Sequence, residues 1–189
     1  MNLNALPNVL TLARIVSVPL LVLLFYWTHP WAHPLAAAVF IAAAITDAFD
    51  GYLARRMGIT TPLGAFLDPV ADKLIVAVAL VLLVGHDTRP FIVITAAVII
   101  GREITVSALR EWMAHVGARA KVAVSGTAKM KTIVQMTGLS LMMFRQDVFG
   151  LPMYEIGVVL LVIAAALTLW SMVAYLQAAW PELRRSNVP

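Results

Sequence analysis

Apolar residues run through this chain in blocks, interrupted by short polar patches at intervals that suit helices. Val9–Trp27 and Ile156–Leu176 are long, almost uninterrupted apolar runs. Pro34–Ile45, Leu74–Val84, Phe91–Ile100 and Ile133–Phe144 are shorter. A helix needs about 20 mostly apolar residues to cross a bilayer. The short runs reach that length only if each helix continues through an adjoining polar patch: Thr46–Arg55, Asp68–Lys73, Gly101–Arg110 or Thr127–Thr132. On that basis the pattern predicts six helices, the middle four with polar ends. Pro30, Pro34, Pro62, Pro90 and Pro152 fall between the apolar stretches, as expected of a residue that lacks an amide donor and restrains its predecessor. No strand-like alternation, repeat or long linker interrupts the pattern, and residues 1–189 read as a single domain.

Composition turns this helical pattern into a membrane reading. The chain is 61% hydrophobic and 13% charged, with a mean hydropathy of +0.88. Soluble domains are about 45–50% apolar and about 25% charged, and a 189-residue domain has too little interior to hide such an excess. The expectation is an all-α integral membrane protein with six transmembrane helices. The net charge is +4, and its placement is informative. With the N-terminus in the cytoplasm, ten of the fourteen basic residues fall in cytoplasmic segments, Arg14 and Arg102 lie within spans, and Arg89 and Arg145 are the two on the outer side. That bias follows the positive-inside rule and puts both termini in the cytoplasm. A cleavable signal peptide is not expected: no Lys or Arg precedes the first apolar run, and Arg14 interrupts it. The basic residues follow topology without a recognition motif, so no nucleic-acid partner is expected.

The acidic residues carry the chemistry. Four of the ten, Asp47, Asp50, Asp68 and Asp72, fall within 26 positions. Asp47 and Asp50 are three apart and Asp68 and Asp72 four apart, so each pair shares a helix face. The short connection with Gly51, Gly58 and Gly64 can fold the two helix ends side by side. Carboxylates near a bilayer are costly unless neutralised. With no cysteine in the chain, a convergent carboxylate set suits a hard cation, Mg²⁺ or Mn²⁺, and two such ions recur in phosphoryl transfer. Asp68 before Pro69 also reads as a helix start, with aspartate as the cap. Intramembrane carboxylates also mark ion paths, which leaves a small cation transporter as a reading from another class.

The stretch Asp47-x-x-Asp50-Gly51-x-x-Ala54-Arg55, eight residues, then Gly64-x-x-x-Asp68-x-x-x-Asp72 resembles the signature of the CDP-alcohol phosphatidyltransferases. The likeness extends to Pro7-Asn8-Val9-Leu10-Thr11 with Arg14, to Gly101-Arg102-Glu103, to Ser107–Trp112 and to Lys129-Met130-Lys131-Thr132 with Gln135. These segments are similar to the bacterial branch that makes phosphatidylglycerophosphate. Ala128 departs from that branch, which often has glycine before the lysine.

The resemblance implies transfer of a phosphatidyl group from CDP-diacylglycerol to glycerol 3-phosphate at the cytoplasmic face of a bacterial inner membrane, by a homodimer. A sister enzyme with another acceptor alcohol shares the acidic signature. The resemblance also implies metal binding by Asp47, Asp50 and Asp68, with Asp72 as general base and possible further ligand. CDP-diacylglycerol falls to Pro7, Asn8, Thr11, Gly51, Ala54, Arg55 and Thr61. Several of these have plainer readings: Asn8, Thr11 and Thr61 as helix caps, Gly51 and Ala54 as helix-contact residues. The acceptor's phosphate needs a basic pocket, for which Arg102, Arg110, Lys129 and Lys131 are the candidates. Arg102 could instead pair with Glu103, and Lys129 and Lys131 could face anionic headgroups.

Overall fold

The computed structural model describes residues 6–57, 62–115 and 127–185; for 6–9, 47–57, 62–66, 127–129, 178–179 and 181–185 only the helical course is described. Six helices account for almost all of it: α1 Leu6–Tyr26, α2 Ala32–Met57, α3 Pro62–His86, α4 Pro90–His115, α5 Thr127–Phe144 and α6 Met153–Arg185. Among the described residues no strand forms beyond one isolated bridge, Val148 with Leu151. The fold is therefore all-helical, with each short apolar run extended through its polar patch into one continuous helix.

One expectation about α3 needs correction. Asp68 does not cap this helix. The helix begins at Pro62, and Asp68 and Pro69 lie inside it. Proline at the first helical position costs nothing, because that amide has no intrahelical partner in any case, so Pro62 serves as well as Pro69 as a start. Pro69 then removes one backbone bond within the helix. Asp68 and Asp72 consequently sit on successive turns of a formed helix.

The helices pack as a bundle in which α1 lies against α2 and α3, α5 against α2 and α6, and α4 against α6. Leu21, Phe40, Ile75, Leu80, Leu83, Ile99, Leu139, Met142 and Met143 form the centre of one apolar core. Within Leu139–Phe144 of α5, Leu139, Met142 and Met143 are fully buried packing residues. A smaller cluster, Val106, Met113 and Tyr175, joins α4 to α6 further along. Large apolar side chains also cover the outside: Val16, Leu23, Val81, Ile94 and Ile104 are each more than 60% exposed. An apolar exterior around an apolar core requires a hydrocarbon solvent, and the chain is a membrane protein. By length and composition alone, α4 and Met153–Gln177 of α6 suffice to cross a bilayer, while the apolar stretches Leu10–Tyr26 and Ala32–Thr46 are shorter.

The α5–α6 contact depends on two glycines. A Cβ on Gly157 would stand 2.7 Å from the Gly138 carbonyl oxygen, 2.8 Å from Met142 Cγ and 2.9 Å from Met142 N. Two of these three are backbone atoms and cannot yield without separating the helices, the close approach that small residues permit in membranes. Gly157→Ala is expected to cost about 1–3 kcal/mol as an overpacked contact, read as a fall of about 3–10 °C in the unfolding midpoint in detergent. An unchanged midpoint would mean that the helices part without cost.

The end of the bundle that holds the α3–α4 connection is tied by charge. Arg89 donates from Nε to Asp87 Oδ2 at 2.8 Å, and from Nη1 and Nη2 to the Glu155 carboxylate at 3.2 and 3.0 Å. Tyr154 donates its hydroxyl to Asp87 at 2.9 Å. These bonds, Arg89 first, hold the Asp87 carboxyl below its ordinary range. A lowered carboxyl contributes stability above its unfolded value and loses it as pH falls through the folded one. Arg89 is 39% exposed, so screening limits the contribution to about 1 kcal/mol or less. Asp87→Asn should lower the unfolding midpoint at neutral pH. The difference from the parent chain should vanish once the pH falls below the lowered Asp87 value. A difference that persisted in that acid would remove the ion pair as its cause.

Candidate active site

At the other end of the bundle α3, α4 and α5 enclose a cavity of about 430 Å³. Asp72 and Lys73 face it from α3, Arg102, Glu103 and Arg110 from α4, and Lys131 and Gln135 from α5. Four cationic side chains against two carboxylates make it a basic chamber. Arg102 and Arg110 are two helical turns apart, and the twist of α4 leaves both on the cavity side. Arg102, Lys131 and Gln135 are each more than nine-tenths buried, whereas Arg110 and Asp72 are exposed.

Buried cations need partners. Arg102 forms an ion pair with Glu103 through Nη1, so the pairing alternative raised by the sequence is realised, and the same guanidinium also lines the chamber. Its Nη2 lies 3.4 Å from Ser171 Oγ, as does Lys131 Nζ. Ser171 in turn donates to the Thr168 carbonyl at 2.8 Å. With its only proton thus committed, the Ser171 oxygen offers lone pairs to both cations. Arg110 donates from Nη2 to Tyr175 Oη at 3.1 Å, and its guanidinium carbon lies 5.3 Å from the centre of that ring. Arg102 Nε is buried and meets no acceptor among the described residues. A water-excluded donor beside three further cations is an anion site in physical terms.

Ser171 and Tyr175 were missed by sequence reasoning. Each is a single polar residue in the long apolar run of α6; a lone serine there ordinarily bonds its own helix backbone, and a lone tyrosine reads as an interface anchor. Their spacing of four residues on one helix face was the only signal available.

The chamber opens onto a second cavity of about 570 Å³. This one is an apolar groove between α2 and α5, with Ile41, Ile45, Met136 and Leu141 on its walls. Asp72, Thr132, Ile133 and Met136 line both spaces. Asp72 therefore stands where a polar chamber meets an apolar groove, the arrangement an amphiphile requires.

On the near side of α3, Thr11 donates its hydroxyl to Asp68 Oδ1. Thr11 is 1% exposed, so α1 fixes the orientation of one signature carboxylate from within the bundle. Asp68 and Asp72 supply oxygen donors one helical turn apart, and no cysteine competes. That donor chemistry fits a hard divalent ion. Asp47, Asp50, Gly51, Ala54 and Arg55 lie on the course of α2, and α2 contacts α3, but their side chains fall outside the described residues, as do those of Pro7, Asn8 and Lys129 and the whole of Thr61. Among the described residues no three acidic or histidine side chains gather.

Comparison with known proteins adds the decisive observation. The family model described as CDP-alcohol phosphatidyltransferase matches residues 4–170. This chain belongs to that family. The match spans α1 to α5 and most of α6, and so takes in the chamber, the groove and all four signature aspartates. Among the relatives of this phosphatidyltransferase, a Pseudomonas fluorescens protein is 50% identical over 180 residues, 95% of this chain and 92% of its own length. One from Yersinia pestis (strain Pestoides F) is 51% identical over 183 residues, 97% and 98% of the two chains. One from Salmonella choleraesuis is 48% identical over 178 residues, 94% and 96%. Each of these relatives carries the name CDP-diacylglycerol–glycerol-3-phosphate 3-phosphatidyltransferase.

Proposed function

We propose that this protein transfers the phosphatidyl group of CDP-diacylglycerol to sn-glycerol 3-phosphate, forming phosphatidylglycerophosphate and CMP. The observation that carries the reading is the junction at Asp72 of a basic chamber with an apolar groove, in a chain about half identical to relatives of that name. The groove suits the acyl chains of the donor lipid. The chamber suits the phosphate of the acceptor, held by Arg102, Arg110 and Lys131 with Lys129 nearby in sequence. Ser171 and Tyr175 act as positioning residues, setting the cations at the geometry a phosphate needs.

Asp72 is the general base in this reading. Its carboxylate takes the proton of the acceptor hydroxyl as that oxygen attacks the lipid-side phosphorus of the diphosphate. A new oxygen–phosphorus bond forms, the bond to the bridging oxygen breaks, and CMP leaves with that oxygen. Divalent metal, Mg²⁺ or Mn²⁺ and in this reading two ions, would be held by Asp47, Asp50, Asp68 and Asp72, and would neutralise the diphosphate and the charge on departing CMP. Thr11, through its bond to Asp68, keeps one such carboxylate in place. Pro7, Asn8, Gly51, Ala54, Arg55 and Thr61 form the nucleotide side, Arg55 as a fork for the diphosphate.

The same reading has six spans in a bacterial inner membrane, both termini and the active site on the cytoplasmic side, and a homodimer. The charge bias supports the orientation. So do the two basic residues assigned to the outer side: Arg89 is neutralised by Asp87 and Glu155, and Arg145 lies over an aromatic ring. The purified protein, given CDP-diacylglycerol, Mg²⁺ and a panel of alcohols, should release CMP with glycerol 3-phosphate alone. Release with serine or inositol phosphate instead would reassign the acceptor.

A further inference from the structure

The end of the bundle remote from the basic chamber carries a second constellation that the reaction does not use. Arg145 follows the last residue of α5 and holds a left-handed backbone, with φ 57°. Glycine or asparagine usually occupies that position, because a Cβ is strained there. The side chain gains two contacts in return. Its guanidinium carbon lies 4.6 Å from the centre of the Phe25 ring, and Nη1 faces His33 Nε2 at 3.4 Å.

The other two nitrogens, Nε and Nη2, are shut away from solvent and meet no acceptor among the described residues. They form one edge of the guanidinium plane, the edge that grips two oxygens of a carboxylate or phosphate side by side. His33 Nδ1 is likewise buried without a partner. Two cavities, of about 250 and about 290 Å³, adjoin the group, and Arg145 and His86 line both. Tyr26 and Trp27 line the larger one and are 71% and 50% exposed. Such aromatics favour the level where headgroups meet hydrocarbon.

The local charge narrows the ligand. Asp87 lines the smaller cavity, but its carboxylate already accepts bonds from Arg89 and Tyr154. Asp87 and Glu155 are engaged by Arg89, and among the described residues no carboxylate pairs with Arg145, which leaves one guanidinium charge to be matched by one negative charge. A phosphodiester carries one charge and presents two free oxygens, which match the single guanidinium edge.

We propose that Arg145, with His33 and His86, binds the phosphodiester headgroup of a membrane phospholipid at the end of the bundle opposite the active site. The site is separate from the transferase reaction and does not depend on the assignment of the acceptor.

The full chain in neutral detergent, with its four histidine rings isotope-labelled and assigned, tests this directly. Phosphatidylglycerol and phosphatidylcholine should each shift the His33 and His86 ring resonances in a saturable way. Diacylglycerol of the same chains should not. His115, at the far end of α4, reports separately on lipid entering the active-site end. Arg145→Gln should weaken the His33 and His86 response by at least about tenfold, and Arg145→Lys, which keeps the charge without the fork, by less. Equal shifts with diacylglycerol would reduce the site to an apolar fill and overturn the proposal. So would silence with both phospholipids, or a response to inorganic phosphate alone. The lipid comparison is made on the wild-type chain, so it decides the matter even if Arg145→Gln fails to fold.

Discussion

Asp72→Asn leaves a folded protein whose kcat is lower by about 10²–10⁴-fold, the range that loss of a positioned base produces. Asp72 is exposed to the junction of the two cavities and is not part of the apolar core, so an isosteric amide there disturbs no packing. An amide cannot take a proton at neutral pH, and it remains a weak neutral oxygen ligand at best. The measurement is CMP release at saturating concentrations of both substrates, over a range of Mg²⁺. A deficit that persists at the highest Mg²⁺ marks a lost base, whereas one that excess Mg²⁺ repairs marks a lost ligand. Full turnover by Asp72→Asn would refute the assignment outright.

Arg110→Gln is expected to raise the KM for glycerol 3-phosphate by about 10–100-fold, the range of a charge-assisted hydrogen bond worth about 1.5–3 kcal/mol. The KM for CDP-diacylglycerol should change by less than about threefold, because an interaction with one substrate is lost and the other is untouched. Arg110 is the better test than Arg102. Arg110 is exposed and leans on Tyr175, so its loss leaves no buried charge. Removing Arg102 would leave Glu103 without its partner and confuse folding with binding. Tyr175→Phe keeps the ring under the guanidinium and deletes the 3.1 Å bond. It should reproduce the same selective rise at about 2–5-fold, as expected for one neutral hydrogen bond worth about 0.5–1 kcal/mol. Equal effects on both substrates would count against a chamber dedicated to the acceptor.

Local cap signals in the chain misled at Asn8 and Thr11, which lie inside α1, and at Asp68, and other features gave no signal. Asp68-Pro69 satisfies every rule for a helix start, yet α3 begins at Pro62 and runs through. Caps are local preferences of about 1 kcal/mol. Burial of Ala71, Ile75, Ala79 and Leu80 on one face of α3 outweighs such a preference, and it favours a helix long enough to reach its neighbours. The apolar pattern of Leu139–Phe144 does not itself separate lipid-facing from core positions, because hydrocarbon and protein interior select the same side chains. Gly138 and Gly157 are inconspicuous in sequence, and their meaning lies in a contact between two helices.

The chain's own pattern determined the number of helices, the apolar character of their surroundings, and which stretches of α2 and α3 carry the signature aspartates. All of these follow from periodicity, composition and charge cost, which act along the chain or against the solvent. Only the tertiary structure decided that α4 and α5 turn Arg102, Arg110 and Lys131 into one chamber with Asp72, that α6 reaches in with Ser171 and Tyr175, and that Arg145 turns a guanidinium edge inward at the opposite end. Those facts depend on how far each helix is rotated about its axis, and that rotation is set by contacts between residues 40 to 112 positions apart.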